Sequence, residues 1–355
     1  MAETGVTGDR MMKFGIGPFN LQAPHGSGKP HTQVYREMLE QAELAEELGF
    51  DSAWLIEHHF KEDGECPSVL LTAAAMAART SKIKIGTAML LLPLHRPVRV
   101  AEDVAVLDNI ANGRLIVGVA AGYRPIEFEG LGEARKGREA RMEEQLEILI
   151  NAWTRDSFAH NGRHYQFPEI SVMPKPAQKP HPPIWIGAST EGGFRRAAKW
   201  ADALCSSPRH HLSDLKNHYA SYRRYLGEFG REEVCTPVIR EVYCAETMER
   251  AEREGGPGMI YIQAGMYGRW AQVRELKDDR GRPVAGAGGV SLETFRERFI
   301  LGDPDHCIRE IEKYQRELGM DYLQCMMDFP NVDAELTKKS MRLFAREVMP
   351  HFRPR

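Results

Sequence analysis

The sequence predicts a single α/β domain folded as a (β/α)8 TIM barrel with insertions. Strand and helix patterns alternate along almost the whole chain, as expected for a parallel sheet covered by helices. Eight strand candidates are present, the number that closes such a barrel, and 355 residues is an ordinary length for one. A closed barrel therefore explains the pattern better than an open sheet, and one domain is expected to span residues 13–355.

Each strand is predicted from a short apolar run, and each helix from apolar residues spaced three or four apart. The strands are predicted at residues 14–19, around Trp54, and at 83–92, 115–119, 183–187, 203–206, 238–245 and 322–327. The helices are predicted at residues 34–48, 69–79, 98–110, 141–153, 190–200, 212–229, 308–318 and 334–348. Gly49 ends the first helix and Pro97 precedes the third. The pair Asn161-Gly162 predicts an inserted hairpin at 161–167.

The composition indicates a globular protein whose partners are small molecules. Hydrophobic residues make up 42% of the chain and charged residues 27%, which is not the composition of a disordered protein. A net charge of −3 with scattered basic residues provides no surface for nucleic acid or anionic membranes. The longest apolar run ends at Pro93, far short of the about 20 residues that span a membrane. The protein is expected to be soluble.

The chain start and the cysteines point to a cytoplasmic protein. Residues 1–12 lack the charged and then apolar order of a secretory signal, so they predict a flexible leader. The six cysteines contain no Cys-x-x-Cys pair and no short regular spacing, which argues against a disulfide framework and against structural zinc. Reduced and mostly buried thiols are expected, and no metal site.

The most informative stretch for function is Glu57-His58-His59, which directly follows the apolar second strand. In a parallel barrel the carboxyl ends of the strands build the active site. Histidine titrates near neutral pH and is therefore suited to proton transfer. The stretch predicts catalytic side chains at this strand end, with a satisfied polar turn as the alternative.

A second candidate site follows the fifth strand, where Gly187, Ala188, Ser189, Thr190 and Gly193 lead into a helix. A helix N-terminus binds phosphate through its free backbone N–H groups and its dipole, and small residues let the anion approach. An ordinary Ser/Thr helix cap explains the segment equally well. Neither a Gly-x-Gly-x-x-Gly nor a Gly-x-x-x-x-Gly-Lys motif occurs, which disfavours a Rossmann dehydrogenase and a P-loop protein.

From residue 13 almost to its end, the chain resembles the bacterial luciferase-like family of flavin-dependent monooxygenases. The resemblance rests on the order and spacing of several short motifs, none of which is specific alone. They are Glu57-His58-His59-Phe60, the stretch 92–103 with Leu107-Asp108, Gly113-Arg114, the stretch 118–122, the segment 184–190, and Val348-Met349-Pro350. The family fold is a (β/α)8 barrel, in agreement with the strand count.

The resemblance implies an enzyme that oxygenates a small apolar organic substrate, such as an aldehyde, a ketone or an alkene. A separate reductase would supply reduced FMN, which reacts with O2 to give a hydroperoxyflavin. His58 matches the family's catalytic histidine, with Glu57 and His59 arranging the strand end. The resemblance also implies that a non-proline cis peptide at Ala88-Met89 supports the flavin.

Further flavin contacts implied by the resemblance come from the ends of the fourth and fifth strands. They are Ala120, Gly122, Tyr123, Gly187, Ala188, Ser189, Thr190 and Gly193. The chain departs from luciferase at Ala120 and Ala121, where luciferase has a reactive cysteine and a phosphate-binding arginine. Arg124 or Arg195 is the candidate replacement for that arginine.

The sequence is also compatible with two other functions. One is a deazaflavin-dependent hydride-transfer oxidoreductase on the same barrel, and the other is a non-catalytic flavin-binding partner subunit. The Glu57-His58-His59-Phe60 motif favours the monooxygenase over both.

Two features bear on assembly and dynamics. Small residues in the helices at 69–79 and 98–110 allow close helix approach and predict a homodimer, with packing on the barrel itself as the alternative. The stretch 275–291 combines charge, proline and glycine without periodicity. It predicts a mobile active-site loop, with a solvated surface insertion as the alternative.

Overall fold

The computed structural model describes residues 11–24, 26–264, 278, 282, 284 and 290–353. In this part of the chain ten strands form one parallel sheet, and two more form an antiparallel hairpin. The strands are β1 (Lys13–Phe19), β2 (Ser52–Leu55), β3 (Lys84–Thr87), β4 (Leu90–Leu91), β5 (Leu115–Ala120), β6 (Phe158–Asn161), β7 (Gln166–Ile170), β8 (Ile184–Gly187), β9 (Ala203–Cys205), β10 (Pro237–Cys244), β11 (Ile300–Gly302) and β12 (Tyr322–Met326). The helices are α1 (His31–Glu47), α2 (Val69–Arg79), α3 (Pro97–Ile110), α4 (Pro125–Gly130), α5 (Arg138–Thr154), α6 (Glu191–Trp200), α7 (Leu212–Glu228), α8 (Met248–Ala264), α9 (Pro304–Leu318) and α10 (Ala334–Leu343).

The parallel sheet is curled, so that its two ends approach each other. Its strands run in the order β11-β10-β12-β1-β2-β3-β5-β8-β9, with β4 also paired to β5. Between β9 and β10 the described residues form one isolated parallel bridge, from Ser206 to Val238, instead of a ladder. The predicted α/β class and single domain are therefore confirmed, with the strands arranged as a curled parallel sheet.

Alternate side chains of the strands pack on the two faces of the sheet. Ala53 and Leu55 of β2 belong to the large core under the helices, whereas Trp54 points to the inside of the curl. There Trp54 lies 4.7 Å from Trp185 between ring centroids. Gly86 makes room for this indole, because a Cβ atom there would lie 2.1 Å from Trp54 Cε3. Large aromatic side chains thus fill the inside of the sheet.

The predicted continuous strand at 83–92 is wrong. The strand is interrupted after Thr87, where the peptide between Ala88 and Met89 is cis, as predicted from the resemblance. The Thr87 hydroxyl donates to Gly118 O (2.7 Å) and accepts from Gly118 N (2.9 Å). A side-chain hydroxyl therefore satisfies the backbone of β5 at the point where β3 stops pairing with it.

The other elements agree well with the sequence, with three additions and small shifts of the ends. The antiparallel hairpin of β6 and β7 confirms the predicted insertion. The sequence missed α4, α8 and β11. Helix α8 contains Pro257 and a glycine pair, which normally interrupt helices. Gly255 and Gly256 instead let the helix approach Tyr243 and Leu292 closely.

Several predictions concern the ends and loops of the chain. Residues 1–10 lie outside the described residues, and Met12, assigned to the leader, is buried in the core. Most of the predicted loop at 275–291 also lies outside them. Five of the six cysteines are buried, and Cys235 is half-buried. Across the described ranges, no helix is both long and apolar enough to cross a membrane.

Candidate active site

A cavity of about 990 Å³ lies at the carboxyl ends of the parallel strands. Its wall is built by the segments that follow β2, β3, β5, β8 and β9. All residues that the sequence analysis assigned to the flavin line this cavity, and so do Glu57 and His58. His59 lies outside the lining. Side chains dispersed over more than a hundred positions in sequence thus meet in one space.

His58 is buried at the cavity wall and is held by Glu127 of α4. Its Nδ1 lies 2.9 Å from Glu127 Oε1, and the backbone N–H of His59 donates to the same oxygen (3.1 Å). Arg124 donates from Nη1 to that oxygen as well (2.9 Å). Burial alone would raise the pKa of Glu127, but the bonds from His58 and His59 and the Arg124 charge lower it. The Glu127 carboxylate is therefore ionised at neutral pH.

Glu57 forms a second buried network behind His58. Its Oε1 accepts from His59 Nε2 (3.0 Å) and from His95 Nε2 (2.7 Å), and its Oε2 accepts from Leu91 N (2.5 Å). Burial would raise the pKa of Glu57, but these donors lower it to about 2. Burial would lower the pKa of His95, but the Glu57 carboxylate raises it. One carboxylate thus connects the end of β2 to the segment that follows the cis peptide.

The central part of the wall combines small and aromatic residues. A Cβ atom at Gly187 would lie 2.7 Å from Met89 Cγ and 3.4 Å from Ala120 Cβ, so glycine is needed there. The Tyr123 ring meets the His58 ring edge to face, with 6.1 Å between centroids. Burial raises the pKa of Tyr123 to about 12, so its hydroxyl is neutral. This part of the cavity can hold a flat ring beside His58.

The N-terminus of α6 forms a polar corner of the same cavity. Thr190 caps the helix, because its hydroxyl accepts from Gly193 N (3.3 Å). Ser189 Oγ lies 2.9 Å from His210 Nε2. Arg138 and Arg196 also line the cavity. Burial lowers the pKa of the Arg138 guanidinium, the Glu139 carboxylate opposes this, and neighbouring arginines, Arg196 among them, lower the pKa further.

These two arginines were missed in the sequence, where Arg124 and Arg195 were the candidate cations. Arg195 stacks over Phe229 (5.3 Å) and lies outside the cavity lining. Arg124 lines the cavity but is bonded to Glu127 and to His59 O. Arg196 follows Gly193 by about one helical turn, so the helical spacing placed it on the same side of α6 as a predicted flavin contact. Arg138 is the first residue of α5, and nothing in the sequence around it indicated a position in the cavity.

The chain that forms this cavity is similar to known proteins over most of its length. The model of the luciferase-like monooxygenase family matches residues 12–322. The chain belongs to this family. It is accordingly an oxidoreductase of the monooxygenase class.

Two relatives cover nearly the whole length. The chain is 39% identical to the uncharacterized protein y4vJ of Sinorhizobium fredii, over 94% of this chain and 95% of that protein. It is 27% identical to the oxygenase component of the flavin-dependent trigonelline monooxygenase of Acinetobacter baylyi, over 90% of each chain.

Two solved structures share the fold. The monooxygenase RslO1 of Streptomyces bottropensis has a TM-score of 0.83 and 27% identity, over 96% of this chain and all of that one. The oxygenating constituent of 3,6-diketocamphane monooxygenase from Pseudomonas putida, a structure in complex with FMN, has a TM-score of 0.80 at 22% identity, over 96% and 98% of the chains. The luciferase-like fold is thus shared with proteins of diverse sequence.

Proposed function

We propose that this luciferase-like enzyme binds reduced FMN in the cavity and uses O2 to oxygenate a small organic molecule. The observation that carries the proposal is the buried pair of His58 and Glu127 at the cavity wall, beside a space suited to a flat ring. The flavin-dependent relative and the FMN complex of a structural neighbour support the cofactor. The words "oxygenase component" in that relative's name support a separate reductase.

The residues around the cavity fit FMN. The polar corner offers a capped helix N-terminus, with Ser189 and Thr190, and two arginines, Arg138 and Arg196, for a phosphate. The flavin ring would lie against Ala88-Met89 and the small residues of the central wall. The proposed contacts on that wall are Ala120, Gly122, Tyr123, Gly187, Ala188 and Gly193. When bound, reduced FMN supplies the electrons that activate O2.

His58 is the proposed catalytic residue. The ionised Glu127 carboxylate only accepts hydrogen bonds, so the nearby Nδ1 of His58 carries a hydrogen. Nε2 is then the nitrogen that takes up and releases a proton. Glu127 acts as a positioning residue, because it fixes the ring and its tautomer. Glu57 and His59 hold the strand end in place from behind.

The substrate is proposed to have an apolar body. Ile56, Leu91, Ile239 and Met326 line the cavity next to the polar groups described above. A surface of this kind favours an aldehyde, a ketone or an alkene over a sugar, because hydroxyl groups would lose their hydrogen bonds to water there.

Two further proposals concern architecture. We infer that the sheet closes into a (β/α)8 barrel at the bridge between Ser206 and Val238. We also infer a homodimer through α2 and α3. This inference is supported by three apolar side chains that these helices leave exposed, Leu71, Val106 and Ile110.

A single variant tests the catalytic proposal. Reduced FMN or reduced deazaflavin is titrated anaerobically into wild type and His58→Ala, and air and an aldehyde probe such as decanal are then added. We expect both proteins to bind reduced FMN, while the product rate of His58→Ala falls on the order of 10²–10⁴-fold and hydrogen peroxide rises. His351→Gln, at an exposed histidine paired with Glu312, is the matched control. Binding of reduced deazaflavin alone, or wild-type product yield in His58→Ala, would contradict the proposal.

A further inference from the structure

Arg209 lies in the loop between β9 and α7 and lines the cavity beside the catalytic group. Its guanidinium carbon is 5.4 Å from the centroid of the Tyr123 ring. The same ring is the one that meets His58. Arg209 Nε donates to Ser207 Oγ (3.1 Å), a bond that holds the side chain along the wall. A positive charge therefore lies next to the proposed reaction centre.

Within the described part of the chain, Arg209 differs from the other cations of the cavity because it forms no ion pair with a carboxylate. The others each form an ion pair with a carboxylate. These pairs are Lys61 with Glu65 (2.8 Å), Arg124 with Glu127 (2.9 Å), Arg138 with Glu139 (2.7 Å) and Arg196 with Glu143 (3.2 Å). No carboxylate of the described residues lies within ion-pair distance of Arg209, and its Nη atoms make no hydrogen bond to them.

The surroundings of Arg209 add to its positive charge. The fully buried Arg240 donates to the carbonyl oxygens of Pro208 (3.1 Å) and His210 (2.9 Å), on either side of it. Arg298 donates to Arg209 O (2.9 Å). Burial, and then repulsion from His218 and from these three arginines, lowers the pKa of His210 to about 3. His210 is therefore neutral and the positive charge of the loop resides on the arginines.

We propose that Arg209 binds a carboxylate of the substrate. This inference rests on the proposed function, which makes the molecule beside His58 a substrate. A guanidinium exposed to a partly apolar cavity is stabilised by an anion, and its planar fork matches a carboxylate with two parallel hydrogen bonds. The substrate is then a small organic acid, with its apolar body against Ile239 and Met326 and its oxidisable group at His58.

Binding of two matched probes tests this without turnover. The probes are 4-formylbenzoate and 4-formylbenzamide, which have nearly the same shape but differ in charge. Their affinities are measured by titration calorimetry on the full chain loaded with oxidised FMN. We expect wild type to bind the carboxylate at least about tenfold more tightly than the amide. Arg209→Gln should weaken carboxylate binding on the order of 10–10²-fold and leave amide binding unchanged.

Two more variants and one cofactor measurement complete the test. Arg209→Lys should retain part of the preference, because it keeps the charge but loses the fork. Arg195→Gln removes an arginine outside the cavity and should change nothing. Equal wild-type affinity for the two probes would overturn the proposal. A loss of FMN affinity in Arg209→Gln as large as the loss of carboxylate affinity would also overturn it, since Arg209 would then serve the cofactor. Oxygenation is measured in the separate experiment with reduced FMN and air. An enzyme that does not oxygenate but still prefers the carboxylate probe would contradict the proposed function and not the role of Arg209.

Discussion

At the scale of single residues, the site depends on one oxygen atom of Glu127. Three donors converge on Oε1, from the His58 ring, the His59 backbone and the Arg124 side chain. Bonds to a charged acceptor are stronger than those between neutral groups. The orientation of His58 is therefore set by a side chain that is 69 positions away in sequence.

Removing the charge of Glu127 should impair turnover more than binding. In Glu127→Gln the amide no longer fixes Nδ1 as the protonated nitrogen of His58, so we expect kcat to fall on the order of 10²-fold. KM for the aldehyde probe and the affinity for FMN should stay within about twofold of wild type, because neither binding surface changes. Glu127→Asp should restore part of kcat. Glu129→Gln, on the exposed side of the same short helix, is the control, and equal kcat in both Gln variants would contradict the role.

The lowered pKa of Glu57 makes the free energy of unfolding depend on pH in the acidic range. A folded-state pKa of about 2, against an ordinary 4.5, gives stability that is present above pH 4.5 and is lost as the pH falls through about 2. The shift corresponds to about 3 kcal/mol. Glu57→Gln should therefore lower the free energy of unfolding at pH 7, and its difference from wild type should shrink towards pH 3. Urea unfolding at both values measures this, with Glu129→Gln as control. A pH-independent difference would refute it.

Single residues also show which parts of the cavity the sequence could locate. His58 was predicted because it follows an apolar strand directly, and the carboxyl ends of parallel strands converge. Glu127 was missed because α4 has only six residues and therefore no periodicity. Arg209 was missed for a different reason. That no carboxylate of the described residues pairs with it is a property of the folded surroundings, and the spacing of residues in the sequence does not predict it.

At the scale of elements, the interruption of β3 is compensated by Thr87. Its hydroxyl both donates to and accepts from Gly118. The sequence suggested one long strand here, because residues 83–92 are almost uniformly apolar. Only the resemblance located the irregular peptide, since nothing in the amino-acid types distinguishes Ala88-Met89 from an ordinary strand pair.

Thr87→Val tests this compensation with a side chain of nearly the same shape. The valine leaves a buried N–H and a buried C=O of β5 without partners, so we expect the free energy of unfolding to fall by about 1–3 kcal/mol. Thr87→Ser retains the hydroxyl and should lose less. Chemical denaturation of the three proteins measures the effect. Equal stability of the Val and Ser variants would show that the two bonds do not matter.

At the scale of the whole molecule, α2 and α3 leave three large apolar side chains exposed, and the homodimer proposed above would cover them. Leu71 is 72% exposed, Ile110 50% and Val106 44%. Exposed large apolar side chains on two helices that pack together are typical of a contact surface. Small residues at Ala75 and Ala78 on the same face of α2 would allow close helix contact. A second copy of the chain supplies the same face by symmetry.

Leu71→Glu should separate the proposed dimer. Placing a charge in the buried centre of a symmetric contact repeats it on both copies, so the penalty is doubled. We expect light scattering to give the mass of a dimer for wild type and of a monomer for Leu71→Glu at micromolar concentration. Val234→Glu, at a side chain 60% exposed on another segment, should remain dimeric. A monomeric wild type would exclude the assembly.

The Glu57 network has a consequence for how this enzyme can evolve. The carboxylate joins His59, beside the proposed catalytic residue, to His95 and to the backbone of Leu91, beside the surface proposed for the flavin. Replacing Glu57 would leave the buried donors of His59, His95 and Leu91 without their common acceptor. Adaptation to a new substrate is therefore expected to leave this group of residues unchanged, or to replace Glu57 and His95 together. New specificities should arise instead at cavity positions such as Arg209, whose side chain bonds to Ser207 and not to this shared carboxylate.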